Sequence, residues 1–288
     1  MIAGFDLDAF VRATLAEDLG EAGDVTAAAV IPADARFEGI MVAREPLVAC
    51  GLPIAASFFR ALDPACAVET LADEGARVGA GAALLRVSGL ARALLSAERS
   101  ALNTVQHLSG VATLTRRYVE AIAGTGATLL DTRKTLPGLR RLEKHATRMG
   151  GATNHRMGLH DAAMIKDNHV AVAGGVGEAT GAAVAAGLSP IIVEVDRLDQ
   201  IETAIEAGAT HLLLDNMDPA TLREAVRLVD GRVPTEASGG ITLETIRAKA
   251  ETGVTYVSVG RITQSAPAAD IGLDFSPVPF RKEGRLTK

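Results

Sequence analysis

The sequence predicts an α/β protein whose second half is a parallel α/β barrel, and three observations carry that expectation. From residue 128 onward, short apolar runs suited to buried parallel strands alternate with amphipathic helical runs. The repeat is regular at its centre, with 21 residues from Glu194 to Asp215 and again to Glu236. That length fits one βα unit of a barrel or a doubly wound sheet. Each apolar run also ends in polar residues or glycine: Arg133 and Lys134, Lys166, Glu194, Asp215, Glu236 and Ser238, then Gly260. In parallel barrels the chemistry lies on the face formed by the strands' C-terminal ends. No G-x-G-x-x-G follows an early strand and no G-x-x-x-x-G-K-[ST] loop is present, so the barrel is favoured over a dinucleotide-binding sheet.

Taken in order, residues 5–19 set Phe5, Leu7, Phe10, Val11, Leu15 and Leu19 near helical spacing with acids between them, an amphipathic helix. Phe37–Val42 reads as a strand, Ile54–Leu62 as a short helix and Val68–Val87 as further strands. Residues 91–122 are rich in Ala, Leu, Arg and Glu and read as a long helical stretch, with Gly110 its expected break and a domain boundary nearby. Strands are then expected at Thr128–Asp131, Ala163–Ile165, Ile191–Val195, His211–Asp215, Val233–Ala237 and Tyr256–Val259. Helices are expected at Gly177–Ala186, Leu198–Ala207, Pro219–Val229 and Leu243–Glu251.

Composition excludes several classes. At 48% hydrophobic and 22% charged residues the chain can bury a large core. Its formal charge of −6 argues against non-specific nucleic-acid binding. The longest uncharged run, 180–193, is interrupted by Gly181, Gly187, Ser189 and Pro190 and falls short of the roughly 20 residues of a membrane span. Asp6 and Asp8 precede any basic residue, unlike a signal peptide, so a cytoplasmic protein is expected. Cys50 and Cys66 match no metal spacing and read as buried apolar groups. The glycine-punctuated segment 74–89 is similar to the hairpins of biotinyl and lipoyl carriers. Such a carrier needs a lysine amine, and no lysine precedes Lys134.

The densest chemistry runs from Arg133 to His169. Eight cations (Arg133, Lys134, Arg140, Arg141, Lys144, Arg148, Arg156, Lys166) face three acids there, and four of the six histidines join them. Arg140, Arg141, Lys144 and Arg148 read as a solvated helix face. Arg133, Lys134 and Lys166 follow apolar strands, belong at the barrel mouth and imply a small, multiply charged anion; the guanidinium fork suits a carboxylate. His155 and His160 are five apart, on different helical faces, with no acidic or Cys partner at a ligand spacing, so no metal site is expected from them. Glu194 and Asp215 end consecutive strands and should stand side by side, binding sugar hydroxyls directly or through a Mg²⁺ ion brought by a phosphate substrate. Ser238-Gly239-Gly240 with Gly260 reads as a phosphate cradle of backbone N–H groups.

These segments resemble the quinolinate phosphoribosyltransferase family. The matching motifs are Asp131–Arg140 (DTRKTLPGLR), Gly150–Leu159 (GGATNHRMGL) and Ile165–His169 (IKDNH). Further matches are Ala97–Asn103 (AERSALN), Leu108–Thr113 (LSGVAT), Leu214–Met217 (LDNM), Glu236–Ile241 (EASGGI) and Asp270–Asp274 (DIGLD), so the likeness covers nearly the whole chain in order. The resemblance implies an N-terminal α/β sandwich domain over 1–110, rejoined by 274–288, and an incomplete parallel α/β barrel over 111–273. It implies a homodimer with shared active sites and transfer of phosphoribose from phosphoribosyl diphosphate to quinolinate with loss of CO₂. It places Arg99, Thr132, Arg133, Lys134, His155, Arg156 and Lys166 around quinolinate, Arg99 from the partner subunit. Glu194, Asp215, Ser238, Gly239, Gly240, Gly260 and Arg261 fall to the phosphoribosyl diphosphate, with Lys134, Glu194 and Asp215 as the catalytic group. Mg²⁺ would accompany that substrate, with no tightly bound organic cofactor.

One departure stands out. Where the family often has Gly-Ala-Leu-Thr-His-Ser, this chain reads Gly260-Arg-Ile-Thr-Gln-Ser265, and Arg261 either adds a phosphate contact or faces solvent. Two other readings of the residues remain. Lys166 at a strand end could form a Schiff base in a barrel lyase, its amine favoured by neighbouring cations. Alternatively, the chain is a paralogue of a transport locus that binds a related ligand without turning it over.

Overall fold

The computed structural model describes residues 2–277. The chain divides into two compact units, one of residues up to Gly110 together with those from Ala268 onward, the other Val111–Pro267.

The first unit opens with α1 (Leu7–Leu19), whose N-terminus is capped by Asp6 accepting from the Ala9 N–H at 2.9 Å. Next come α2 (Val25–Val30), β1 (Arg36–Ala43), β2 (Leu47–Val48), α3 (Leu52–Leu62), β3 (Ala67–Thr70), β4 (Arg77–Val78) and β5 (Ala83–Leu90). The C-terminal strand β12 (Ile271–Pro277) completes an antiparallel sheet of order β12-β1-β5-β3, and β2 pairs with β4. Alternation buries Met41 and Ala43 of β1 and Leu85 and Val87 of β5, while α3 buries Phe58 and Phe59. The Phe10 ring of α1 bridges Phe5 and Phe58, with ring centroids 5.5 and 6.0 Å away. Helices over one sheet give the sandwich. The returning strand begins at Ile271, three residues before the expected 274, because it pairs with β1 from Phe37 through Ala43. Of the expected 274–288 segment, 278–288 lie outside the described residues.

Helix α4 (Ala91–Ala121) runs unbroken through Gly110, contrary to the expected break. A mid-helix glycine costs about 1 kcal/mol relative to alanine, and Gly110 is buried with Ser109 and Val111 in a helix whose packed face outweighs that cost. Among the described residues no helix is long and apolar enough to cross a membrane. Cys50 and Cys66 are buried free thiols, as the composition implied.

The second unit strings together β6 (Thr128–Leu130), α5 (Arg140–Gly150), β7 (Ala163–Ile165), α6 (Asp167–Ala173), α7 (Val176–Ala185), β8 (Ile191–Val195) and α8 (Asp199–Glu206). It continues with β9 (His211–Asp215), α9 (Pro219–Val229), β10 (Thr235–Ser238), α10 (Ile246–Ala250), β11 (Tyr256–Ser258) and α11 (Arg261–Gln264). All six strands are parallel, in the order β6-β11-β10-β9-β8-β7. β6 and β7 do not pair with each other, which leaves the barrel incomplete. Beside β6 the backbone of Leu130 bridges to Thr153 instead, which draws the segment after α5 to the strand ends. Val193, Val195, Leu212, Leu214, Ala237 and Val257 form the core with inward residues of the helices, such as Ile201, Leu222 and Ile246. The expected Val233–Ala237 strand is shifted to Thr235–Ser238, and the expected helix Leu243–Glu251 shrinks, because the Thr242 N–H is taken by the Thr245 hydroxyl at 3.0 Å.

Candidate active site

Alternate residues of a strand share a face, and the second unit uses that rule to line one cavity of about 530 Å³. Met164 and Lys166 come from β7 and its end, Glu194 from β8, Leu213 and Asp215 from β9, Glu236 and Ser238 from β10, Ser258 from β11. Loops add Thr132, Arg133, Lys134, His155, Arg156, Asn216, Gly239 and Gly240. Lys134 and Ser238 also border an adjoining space of about 240 Å³ with Gly260, Arg261 and Gln264.

One part of the lining is cationic. Burial and the neighbouring Arg133 charge both lower the pKa of Arg156, so two like-charged guanidinium groups are held close together. Arg156 Nη1 donates to the Ala162 carbonyl at 2.9 Å, while the buried Arg133 Nε has no protein acceptor. Lys134 runs its stem across Gly260, where an added Cβ would meet Lys134 Cδ at 2.7 Å. Its N–H donates to Thr132 Oγ1 at 3.0 Å, and its carbonyl accepts from Thr263 Oγ1 at 2.6 Å. Lys166 donates to Glu194.

The expected solvated helix face is half wrong. Arg141 and Arg148 are exposed on α5, but Lys144 is 1% exposed and donates to Asp131 Oδ1 at 2.6 Å. Burial lowers the Lys144 pKa while the Asp131 charge opposes that shift. Asp131 also accepts from Thr147 Oγ1, Asn154 Nδ2 and the His155 N–H, at 2.9, 2.6 and 2.8 Å. Lys144 donates again to the His155 carbonyl at 2.7 Å. Arg140 is likewise engaged, reaching Thr135 Oγ1 at 3.1 Å and the Met157 carbonyl at 3.3 Å. These residues build the loops that present Arg133, His155 and Arg156.

His155 lines the cavity, with Nδ1 accepting from the Arg156 N–H at 2.6 Å and Nε2 at 3.2 Å from Glu236 Oε2. With Nδ1 accepting, Nε2 carries the proton that it donates to Glu236. His211 Nε2 stands 3.1 Å from the same oxygen. Burial alone would raise the Glu236 carboxyl, but His155, His211 and Ser258 outweigh it and hold the group at about 2. A depressed acid contributes stability that is fully present above its unfolded pKa and is lost as pH falls through its folded value. We therefore expect wild-type protein to lose about 2 kcal/mol more than Glu236→Gln between pH 5 and pH 3 in urea unfolding. A wild-type-minus-variant difference that stays constant over that range would refute the assignment.

Glu194 and Asp215 lie on adjacent strands but are staggered. Glu194 is level with Leu213, and Asp215 with Ser238. They remain close enough to interact: burial and the Glu194 charge raise the Asp215 pKa, opposed by Lys166, Lys134 and the Asn216 amide. Gly239 and Gly240 adopt left-handed φ of +93° and +59°, and a Cβ on Gly239 would collide with the Asn216 side chain.

Two family descriptions match in tandem: the quinolinate phosphoribosyl transferase N-terminal domain over residues 24–109 and its C-terminal domain over 111–274. The chain belongs to the quinolinate phosphoribosyltransferase family. A Mycobacterium leprae nicotinate-nucleotide pyrophosphorylase [carboxylating] is 45% identical, covering 92% of this chain and 95% of the relative. A chloroplastic rice protein of the same designation is 39% identical over 98% of this chain and 81% of its own length. The solved nicotinate-nucleotide pyrophosphorylase of Francisella tularensis superposes with a TM-score of 0.90 at 38% identity, covering 96% of this chain and 99% of that one.

Within this member of the quinolinate phosphoribosyltransferase family, all the expected site residues except Arg99 line one of the two adjoining spaces. Arg99 is an exposed residue of α4 and is not part of the lining. Arg261 is exposed at the start of α11 and borders the smaller space. Met164, Leu213, Asn216, Glu236 and Ser258 complete the cavity and were not named as ligands from sequence. All five sit two residues before, or directly beside, an expected site residue, so strand alternation was the available signal.

Proposed function

We propose that this chain transfers the phosphoribosyl group from phosphoribosyl diphosphate to quinolinate and decarboxylates the adduct, giving nicotinate mononucleotide, diphosphate and CO₂ for NAD biosynthesis. One observation carries the reading: a single cavity sets the Arg133–Arg156 cation pair with Lys134 and Lys166 against the carboxylates of Glu194 and Asp215, with a glycine cradle beside them. Two adjacent carboxylates on one aromatic ring meet the repulsion between the two guanidiniums, and Met164 and Leu213 offer apolar contact to the ring.

In this scheme the ring nitrogen lone pair forms a bond to the anomeric carbon while the bond from that carbon to diphosphate breaks. Positive charge gathers on the ribose ring in the transition state, and Glu194 and Asp215 stabilise it electrostatically. Lys134 lies close enough to Asp215 to lower its pKa and reaches toward the glycine cradle, a position suited to the departing diphosphate. Once the nitrogen is ribosylated, its positive charge draws the electron pair left on the neighbouring ring carbon as the carboxylate departs as CO₂, and a proton takes its place. No side-chain nucleophile is needed. A Schiff base at Lys166 would require a free amine, whereas its Nζ is engaged by the Glu194 carboxylate.

The hard oxygen donors of Asp215 and Glu194 fit a Mg²⁺ ion carried in with the diphosphate substrate. Burial and then the Glu194 charge raise the Asp215 pKa, a shift that a cation beside the carboxylate would oppose. Such an ion would neutralise charge on the leaving diphosphate. The test of the whole reading is one assay of quinolinate, phosphoribosyl diphosphate and Mg²⁺, following nicotinate mononucleotide and CO₂. Nicotinate in place of quinolinate should serve poorly, since one carboxylate leaves part of the cation pair unmatched. Retained quinolinate binding with no CO₂ would favour the non-catalytic paralogue.

We place the protein in the cytoplasm and assign it a homodimer in which Arg99 completes the partner's site. Arg99 is exposed and absent from the cavity lining, and the second unit leaves Leu159 and Val172 at 74% and 90% exposure, apolar surface that a partner would cover. Mixing inactive Arg99→Ala with inactive Lys166→Ala should restore about one quarter of the sites, given random pairing in a two-fold dimer. Proven subunit exchange without recovered activity would place Arg99 outside the partner's site.

A further inference from the structure

Asn216 is absent from every role assigned above, yet it occupies an unusual position. It follows β9 directly, borders the cavity and adopts a left-handed backbone with φ of +55°, one of two non-glycine residues with positive φ among those described. Asparagine tolerates that region better than most residues, but glycine does so at no steric cost. A position that needs only the turn would therefore be served by glycine. Here the side chain is used: Asn216 Nδ2 donates to Asp215 Oδ2 at 2.6 Å. The backbone N–H of Asn216 donates to the Ser238 carbonyl at 3.0 Å, and its Oδ1 occupies the space that a Cβ on Gly239 would need. The amide is thus wedged between the Asp215 carboxylate and the first glycine of the cradle. Beneath it, Lys249 Nζ donates to the Met217 carbonyl at 2.7 Å and pins the same turn.

We infer that Asn216 is the positioning residue for Asp215, aiming that carboxylate at the ribose and setting its spacing to the Ser238-Gly239-Gly240 cradle. The inference rests on the transferase reading above. Asp215 stands near Glu194, whose charge repels it, and near Lys166 and Lys134, whose charges attract it. Without a fixed donor the carboxylate would follow those charges. The Asn216 amide supplies a neutral donor that sets the rotamer without cancelling the charge needed in the transition state.

The test separates backbone from side chain. Asn216→Gly keeps the left-handed turn at no steric cost and deletes the amide; Asn216→Asp keeps size and conformational tolerance but replaces the donor with a repelling oxygen. Both are compared with wild type for kcat, for KM of each substrate, for quinolinate binding by calorimetry without phosphoribosyl diphosphate, and for thermal stability. We expect Asn216→Gly to melt at or above the wild-type temperature, to bind quinolinate normally and to lose roughly 10- to 100-fold in kcat/KM for phosphoribosyl diphosphate, the range for one hydrogen bond to a charged group. Asn216→Asp should lose more. Wild-type kinetics in Asn216→Gly would overturn the proposal and leave the functional reading intact, and an equal loss of quinolinate binding would overturn it in favour of a general structural role. A wild-type protein that forms no nicotinate mononucleotide would overturn the functional reading and this proposal with it.

Discussion

Arg133→Ala and Arg156→Ala should each weaken quinolinate binding by about 200- to 5,000-fold while leaving the protein folded. Removing one partner of a desolvated charge pair costs about 3–5 kcal/mol, because the other partner loses its counter-charge but not its burial. Both guanidiniums already repel each other inside the cavity, where burial lowers the pKa of Arg156 and Arg133 lowers it further. A dicarboxylate converts that repulsion into two charge-assisted contacts. Substitution by lysine should recover only part of the affinity, since an ammonium cannot reproduce the planar fork. Arg148→Ala provides the matched control, a cation of the same dense segment that lies exposed on α5. Calorimetric affinity within tenfold of wild type in either cavity variant would show that the dicarboxylate is seated elsewhere.

Residues that end the barrel strands were readable because periodicity fixes both a strand's extent and which side chains leave its C-terminal end. β7, β8 and β9 match the sequence expectation residue for residue. The same rule applied one step back would have found Met164, Leu213 and Glu236, which point the same way as Lys166, Asp215 and Ser238. Stagger was not readable. Sequence sets Glu194 and Asp215 on neighbouring strands, but the pairing register, decided by packing between strands, leaves them two residues apart. Nor could periodicity show that His211, at the opposite end of β9 from Asp215, would approach Glu236. Gly110 misled because its intrinsic helix cost is small beside the burial that a long packed helix gains.

Lys144 shows the limit of reading charge as solvation, and its replacement should have the second large effect. Lys144 and Arg148 lie on one short helix, four residues apart, and sequence gives no reason to separate them. The structure separates them through Asp131, a fully buried carboxylate that directly follows β6 and is paired with the Lys144 ammonium away from the surface. Lys144→Met keeps the stem's apolar packing and removes the charge, leaving Asp131 with Thr147, Asn154 and the His155 N–H as neutral donors. The expected loss is about 3–5 kcal/mol, a fall in Tm of roughly 10 °C for a unit of this size. Lys144 also holds the His155 carbonyl, so the loop carrying Arg156 loosens and quinolinate affinity should fall with stability. Arg148→Met should change neither. If Lys144→Met melts within 2–3 °C of wild type, a loss under about 1 kcal/mol, the neutral donors alone sustain Asp131 and the ion pair contributes little.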